Sequence, residues 1–357
     1  MIPSLHLYLD KDSDFDTMGI GSLPDAISCN VTEELNGMYE LDMEYPNDGI
    51  RAYDLLTDRI ICAQNNPWDH PQPFRIYSVQ PSLAGTTLVK AGHISYQLSS
   101  VMVAPFISQS AIGAMRGLGD HAVGDNPFTF STNIVKASLY SQKVPASIRA
   151  RLTEDKDCIL ATYGGELEYD RYSVALKASR GENNGVVVAY GKNLIDYNQE
   201  LNNQKLLTSI YPYYYKDSTL VQLPERLVSV SNPYSYPRTQ AVDLTSQFES
   251  TPTESELRTA AQAYINTNQL TTPVVSIKAS FIPLEQTEEY RDIAPLEKVR
   301  LGDTVTVRYL ALGVDATAKV VRVVYDVLQD RYTSVELGSV WQTLDMTIAD
   351  LEKGMMQ

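Results

Sequence analysis

Four aspartates crowd the stretch DKDSDFD at residues 10–16. Asp10, Asp12 and Asp14 fit positions 1, 3 and 5 of a calcium loop, in which carboxylate oxygens surround a hard cation. Such a loop also needs glycine at position 6 and glutamate at position 12. The chain has Phe15 and Gly21 there, so the stretch reads as a solvated acidic loop. GLGDHA at 117–122 matches the glycine pattern of dinucleotide sites. That pattern must follow a strand and open a helix. Here it follows a predicted helix and runs into GDNPF, so the match is taken as chance. His6, His70, His93 and His121 fall in no metal-binding spacing, and Cys29, Cys62 and Cys158 are too scattered for a zinc site. Neither a GxSxG elbow nor a P-loop is present. With 44 acidic residues, a carboxylate pair for glycoside hydrolysis cannot be singled out. No catalytic residue, cofactor or metal is expected.

Two other groups of residues point to binding. YPYYY at 211–215, centred on Tyr213, and NPYSYP at 232–237 bring tyrosines together. Tyrosine offers a large contact area and one polar tip, which suits an interface, loop packing or, less directly, a sugar platform. The second group is VTEELNGMYELDMEYP at 31–46. In an extended chain, Tyr39, Leu41, Met43 and Tyr45 share one face, and Met38, Glu40, Asp42 and Glu44 share the other. Asn36-Gly37 before them is a two-residue hairpin signal.

The carboxylates belong to an acidic region. Residues 1–60 hold 13 acidic and three basic side chains, which accounts for −10 of the chain's net −15. Specific nucleic-acid binding is not expected, because it needs clustered Lys and Arg. An acidic wall would instead repel DNA. The scattered cysteines suit synthesis in a reducing cytoplasm without a disulfide framework. Neither a signal peptide nor an apolar run long enough to span a membrane is evident.

These residues require a mainly β scaffold. Residues 1–95 read as short strands separated by turns, which predicts a small barrel. At 96–165 the spacing of Ile107, Ala111, Ala114 or Met115, and Leu118 predicts a helix with Ser108 as N-cap. PASIRARL is a second short helix, and DCILATYGG a third, ended by Gly164. Residues 166–195 read as strand, strand, Asn-Gly turn, strand. In 196–272, Thr253 and Glu256 form a capping box before a helix at 253–266 whose face is Leu257, Ala260, Ala261 and Tyr264. Four long strands follow in 273–340, with turns at Gly302-Asp303 and Gln329-Asp330. A helix is predicted at 341–354. The expected fold is mainly β with α+β insertions. It has one antiparallel barrel at 1–95, an α+β domain at 96–165, a second barrel from 166–195 and 273–340, an inserted α+β domain at 196–272, and a C-terminal helix in 341–357.

Several stretches, in order, resemble a known family: NGMYELDMEYP, YGGELEYDRYSVALKASRGENNGVVVAYGKNLIDYNQE, SIYPYYY, LGDTVTVRY and VVRVVYDVLQDRYTSVELGS. Together they are similar to the N-terminal structural region of phage tail hub proteins of the prophage endopeptidase tail, or tail-associated lysin, family. The resemblance implies two similar barrels and two mixed domains, the fourth inserted in the second barrel. It also implies a homotrimer in which six barrels make a pseudo-six-fold ring around the DNA channel. Implied partners are the distal tail or tail tube protein, the tape measure protein, and tail tip or receptor-binding proteins. The location would be the virion tail tip. Lytic activity would belong to a separate domain or polypeptide. Glu40, Asp42, Glu44, Asn36, Gly37, Asp303 and Tyr213 are then the candidate interface or lumen residues. The alternatives are a tail-associated cell-wall hydrolase and a carbohydrate-binding tail-tip protein using the tyrosine clusters.

Overall fold

A computed structural model describes residues 5–155, 157–189, 194–202, 206–230, 236–248, 250–267, 270, 274–281, 299–309 and 314–338. Two compact units are present: residues 1–198 with 277–357, and residues 199–276. The predicted helix at 341–354 lies outside the described residues.

The first unit is built on one large sheet. The strand Tyr39–Pro46 sits between Ser28–Glu34 and Thr86–His93. Beyond Thr86–His93 come Gln72–Pro81, Ile60–Ala63, His6–Tyr8 and the two-residue edge Gly21–Ser22. Strict alternation explains the central strand. Tyr39, Leu41, Met43 and Tyr45 are all buried, whereas Glu40, Asp42 and Glu44 face away from that core.

On its other side Ser28–Glu34 pairs with the long strand Val314–Asp326. This strand also pairs with Thr304–Tyr309 and Arg331–Leu337. A register shift between Val320 and Arg322 lets its two halves take different neighbours. Strands assigned to two separate barrels are thus hydrogen-bonded into one sheet. The structure is mainly β, as expected.

The stretch 166–195 divides. Glu166–Asp170 and Ser173–Lys177 pair with each other and with Thr129–Thr132, not with the large sheet. Their buried Leu167, Val174 and Leu176 share a core with Ala111, Ala114, Met115 and Leu118. Val187–Ala189, in contrast, joins Thr304–Tyr309. The same core includes Tyr8, Phe15, Ile60 and Cys62, so the α+β lobe is continuous with the first sheet. The alternation in Glu166–Asp170 and Ser173–Lys177 shows one apolar face, Leu167 with Tyr169 and Val174 with Leu176, but does not say which core that face covers.

Helix α1 is Ala111–Asp120, and its N-cap is Ser110, whose hydroxyl accepts from the Gly113 amide at 3.1 Å. The predicted cap Ser108 and the predicted helical residue Ile107 lie in the preceding strand Ile107–Ser110. Ile107 is exposed, because that strand displaces the start of the apolar stripe. PASIRARL gives a two-residue strand and one turn of π-helix at Ala150–Glu154. Helix α2, Ile159–Tyr163, ends at Gly164 as predicted.

In the second unit, Ser209–Lys216 is the central strand of a four-stranded sheet. Helix α3, Glu254–Thr267, packs Leu257, Ala261 and Ile265 onto Ile210, Val242 and Leu244. The capping box is present: the Thr253 amide donates to the Glu256 carboxylate at 2.8 Å, and the Glu256 amide donates to the Thr253 hydroxyl at 3.3 Å.

Candidate functional site

The expected carboxylates form a row, but each has a different environment. Opposite Glu40, Asp42 and Glu44 stand Thr32, Asn30 and Ser28 on one side, and Gly92, Lys90 and Leu88 on the other. Glu40 is half-buried and accepts from the hydroxyls of Tyr77 at 3.2 Å and Tyr96 at 3.3 Å. The Tyr96 hydroxyl in turn accepts from the Tyr39 amide at 3.1 Å. Burial pushes the Tyr77 hydroxyl up to about 12, and nearby Glu40 adds to the shift. Asp42 is exposed and lies 3.7 Å from the Lys90 ammonium, a pair worth little in water. Glu44 stands beside the exposed Leu88.

Asn36 does more than turn the chain. It adopts a left-handed backbone, φ 58°, and its side chain reaches across the lobe. The amide group donates to the Gly165 carbonyl at 3.1 Å and accepts from the Leu167 amide at 2.7 Å. The hairpin is longer than two residues, since the Glu34 amide donates to the Met38 carbonyl around Leu35, Asn36 and Gly37. Asp303 is buried and accepts from the amides of Glu182 and Arg300, both at 2.7 Å. Tyr213 is half-buried within the strand Ser209–Lys216. Of NPYSYP, only 236–237 fall among the described residues. Tyr236 is exposed, with the Arg238 guanidinium 4.5 Å over its ring.

The other sequence candidates take structural places. Phe15, at the position where a calcium loop needs glycine, is buried against Tyr8 and Tyr172, and Asp16 pairs with Arg171 at 2.7 Å. No cluster of metal-ligating side chains occurs among the described residues. Gly117 lies inside helix α1, where an added Cβ would come 2.4 Å from the Phe106 ring. His93 stacks on Tyr39 at 4.3 Å, and burial pushes its pKa down to about 3.

A polar cleft of about 760 Å³ brings together residues that the sequence did not connect. Buried Glu33, Asn65, Asn66, Gln72 and Asp303 line it. Arg180 pairs with Glu33 at 3.0 Å and donates to the Leu167 carbonyl at 3.0 Å. Burial works against its charge, but Glu33 and Glu168 hold the guanidinium above its ordinary range. Asn65 donates to Glu33 at 3.2 Å and to the Tyr39 hydroxyl at 2.8 Å. Trp68 stands at the mouth, 6.5 Å from the Tyr332 ring, with the Arg300 guanidinium 5.5 Å above it and Asp69 3.2 Å from Arg300. The backbone crosses itself tightly here: a Cβ on Gly181 would lie 2.2 Å from the Gly302 carbonyl carbon. The only sequence signal was the run of turn residues in NNPWDHPQP and SRGENNG.

Residues 182–348 match the model of the prophage endopeptidase tail family. The resemblance to phage tail proteins is therefore borne out, on a stretch just short of half the chain. No curated protein sequence matches. Among solved structures, the fold is similar to that of prophage tail protein gp18 from Listeria monocytogenes EGD-e. That likeness has 13% identity and a TM-score of 0.57, and covers 99% of this chain and 98% of the other. It is also similar to the tail protein from Neisseria meningitidis MC58, with 10% identity, a TM-score of 0.60, and 94% and 95% of the two chains covered. A third is the 43 kDa tail protein of prophage MuSo2 from Shewanella oneidensis, with 12% identity, a TM-score of 0.57, and 88% and 94% covered. At these identities the similarity is one of fold. No described helix is long and apolar enough to cross a membrane.

Proposed function

We propose that the chain is a structural, non-enzymatic hub of a phage tail. Three copies close into a ring with pseudo-six-fold symmetry, which joins the hexameric tail tube or distal tail protein to the tip and surrounds the DNA path. The tape measure protein and tip or receptor-binding proteins are the further partners. The observation that carries this reading is the fold likeness to prophage tail proteins over nearly the whole chain. The family match to residues 182–348 adds to it. The shared strand Val314–Asp326 suits the role mechanically. It hydrogen-bonds to strands of both sheet-forming halves, so a ring contact made by one half would be felt by the other. Heterologous contacts between copies close into a ring when the rotation permits.

Molar mass in solution, combined with class averages of particles, tests the ring. The expected result is a three-fold particle with the mass of three chains. A monomer that persists when distal tail and tube proteins are added would overturn it. The lumen assignment is tested separately with Asp42→Lys and Glu44→Lys together. If these face the DNA path, virions carrying the change eject DNA more slowly, because an acidic wall that repels phosphates becomes an attractive one. Unchanged ejection from intact rings would remove these residues from the lumen. Glu40 is left in place because two tyrosine hydroxyls hold it.

A further inference from the structure

Two exposed apolar surfaces of the first unit take no part in its core. One is the ribbon in which Ile107–Ser110 pairs with Ala137–Ser141. Phe106, Ile134 and Tyr140 turn inward and are buried, whereas Ile107, Leu139 and Val135 turn outward, the last 91% exposed. The Ala111 amide donates to the Lys136 carbonyl at 3.1 Å, which brings exposed Ile112 alongside. The second surface is the loop 47–58, which presents Ile50, Leu56 and Tyr53, again 91% exposed. Asp25 accepts from the Ile50 amide at 2.6 Å and so brings exposed Ile27 close to them. Contiguous exposed apolar patches mark interaction sites.

The two surfaces differ in charge. Residues 126–153 hold four basic side chains and no acidic one, in a chain of net charge −15. Arg149 and Arg151 pair with Glu154 and Asp155, so exposed Lys136 and Lys143 set the sign beside the ribbon. Residues 40–58 hold six acidic side chains and one basic, and Asp48 is exposed in the loop itself. Ribbon against ribbon would set lysine on lysine, and loop against loop would set aspartate on aspartate, both repulsive. Ribbon against loop is attractive and buries apolar surface on both sides. Each surface is exposed in the same unit, so neither covers the other within one chain and the pairing must run between copies. Two different patches meeting head to tail give the contact from which a ring closes, whereas a two-fold dimer uses one patch twice.

We propose that the ribbon of one copy docks on the loop 47–58 of the next, and that this contact closes the ring. The inference rests on the hub reading and names the surfaces by which copies of the chain meet.

The test is crosslinking between full-length chains. Leu139→Cys and Tyr53→Cys place one thiol on each surface, and the native Cys29, Cys62 and Cys158 are buried. Chains carrying one change each are mixed under copper phenanthroline with the distal tail protein present, then run on a non-reducing gel. The mixture is expected to give a disulfide-linked pair that neither chain gives alone. A chain carrying both changes is expected to give a covalent trimer. Lys136→Glu with Lys143→Glu alters only exposed side chains, and is expected to weaken assembly at least about tenfold by setting like charges together. Equal crosslinking in the unmixed chains, undiminished assembly of the lysine variant, or a three-fold particle in class averages whose mixture does not crosslink would each overturn this contact and leave the hub reading standing. A chain that stays monomeric throughout would overturn both.

Discussion

The side chain of Asn36 accepts a hydrogen bond from the Leu167 amide at 2.7 Å while donating to the Gly165 carbonyl at 3.1 Å. One residue at the hairpin tip thus pairs with a passing backbone as a strand residue would, and fastens the large sheet to the α+β lobe. Asn36→Gly keeps the left-handed backbone but loses both bonds, and should lower unfolding stability by about 1–3 kcal/mol. Asn36→Asp should cost more, since a carboxylate then faces the Gly165 carbonyl with no donor. Urea unfolding of the three proteins checks the order, and an Asp variant as stable as wild type would show the contact to be incidental.

Glu40 accepts from two tyrosines, with unequal arms. Tyr96 gives a hydroxyl to Glu40 and accepts from the Tyr39 amide, whereas Tyr77 only donates to Glu40 from an exposed position. Tyr96→Phe strands a backbone donor and should cost about 1–3 kcal/mol; Tyr77→Phe should cost about 1 kcal/mol or less. Equal losses for the two in thermal or chemical unfolding would contradict this division.

Burial holds His93 neutral, with its pKa pushed down to about 3 from an ordinary 6.5. In the unfolded chain the imidazole takes a proton below about pH 6.5, and in the folded chain it does not, so the unfolded state binds more protons as pH falls. Stability should therefore decline by up to about 1.4 kcal/mol per pH unit below 6.5 from this group. His93→Gln should flatten the change between pH 6.5 and 5.5, a window above most carboxylate titration. Parallel melting curves for the two proteins in that window would rule out His93 as the source.

How much of this was legible depended on the range of the signal. The strand Tyr39–Pro46 was readable because its period of two is written locally in Tyr39, Leu41, Met43 and Tyr45. The capping box of Thr253 and Glu256 was readable for the same reason. What escaped was non-local. Nothing near Glu166–Lys177 says that its partner is Thr129–Thr132, and nothing near Val320 announces the register shift in a strand that serves three neighbours. Asn36 was recognised as a turn residue, but its contact with Leu167 spans 131 positions. The cleft draws on Glu33, Asn65, Arg180 and Asp303, none of which is unusual in its own segment.

The crossing at the cleft makes a severe prediction. Gly181 and Gly302 both have left-handed backbones, φ 71° and 91°. A Cβ on Gly181 would strike backbone atoms of Gly302 and Asp303 at 2.2 and 2.3 Å, and one on Gly302 would strike Arg180 at 2.7 Å. Backbone cannot swing aside as a flexible side chain can, least of all where Asp303 is held by the Glu182 and Arg300 amides. Gly181→Ala should therefore combine positive-φ strain with a direct clash and cost more than about 3 kcal/mol. Gly185→Ala is the control. Its backbone is also at φ 71°, but nothing lies within 4 Å of the added methyl, so it should pay only the conformational penalty of about 1–2 kcal/mol. Chemical unfolding of the two variants separates clash from strain, and comparable losses would mean that the crossing yields without difficulty.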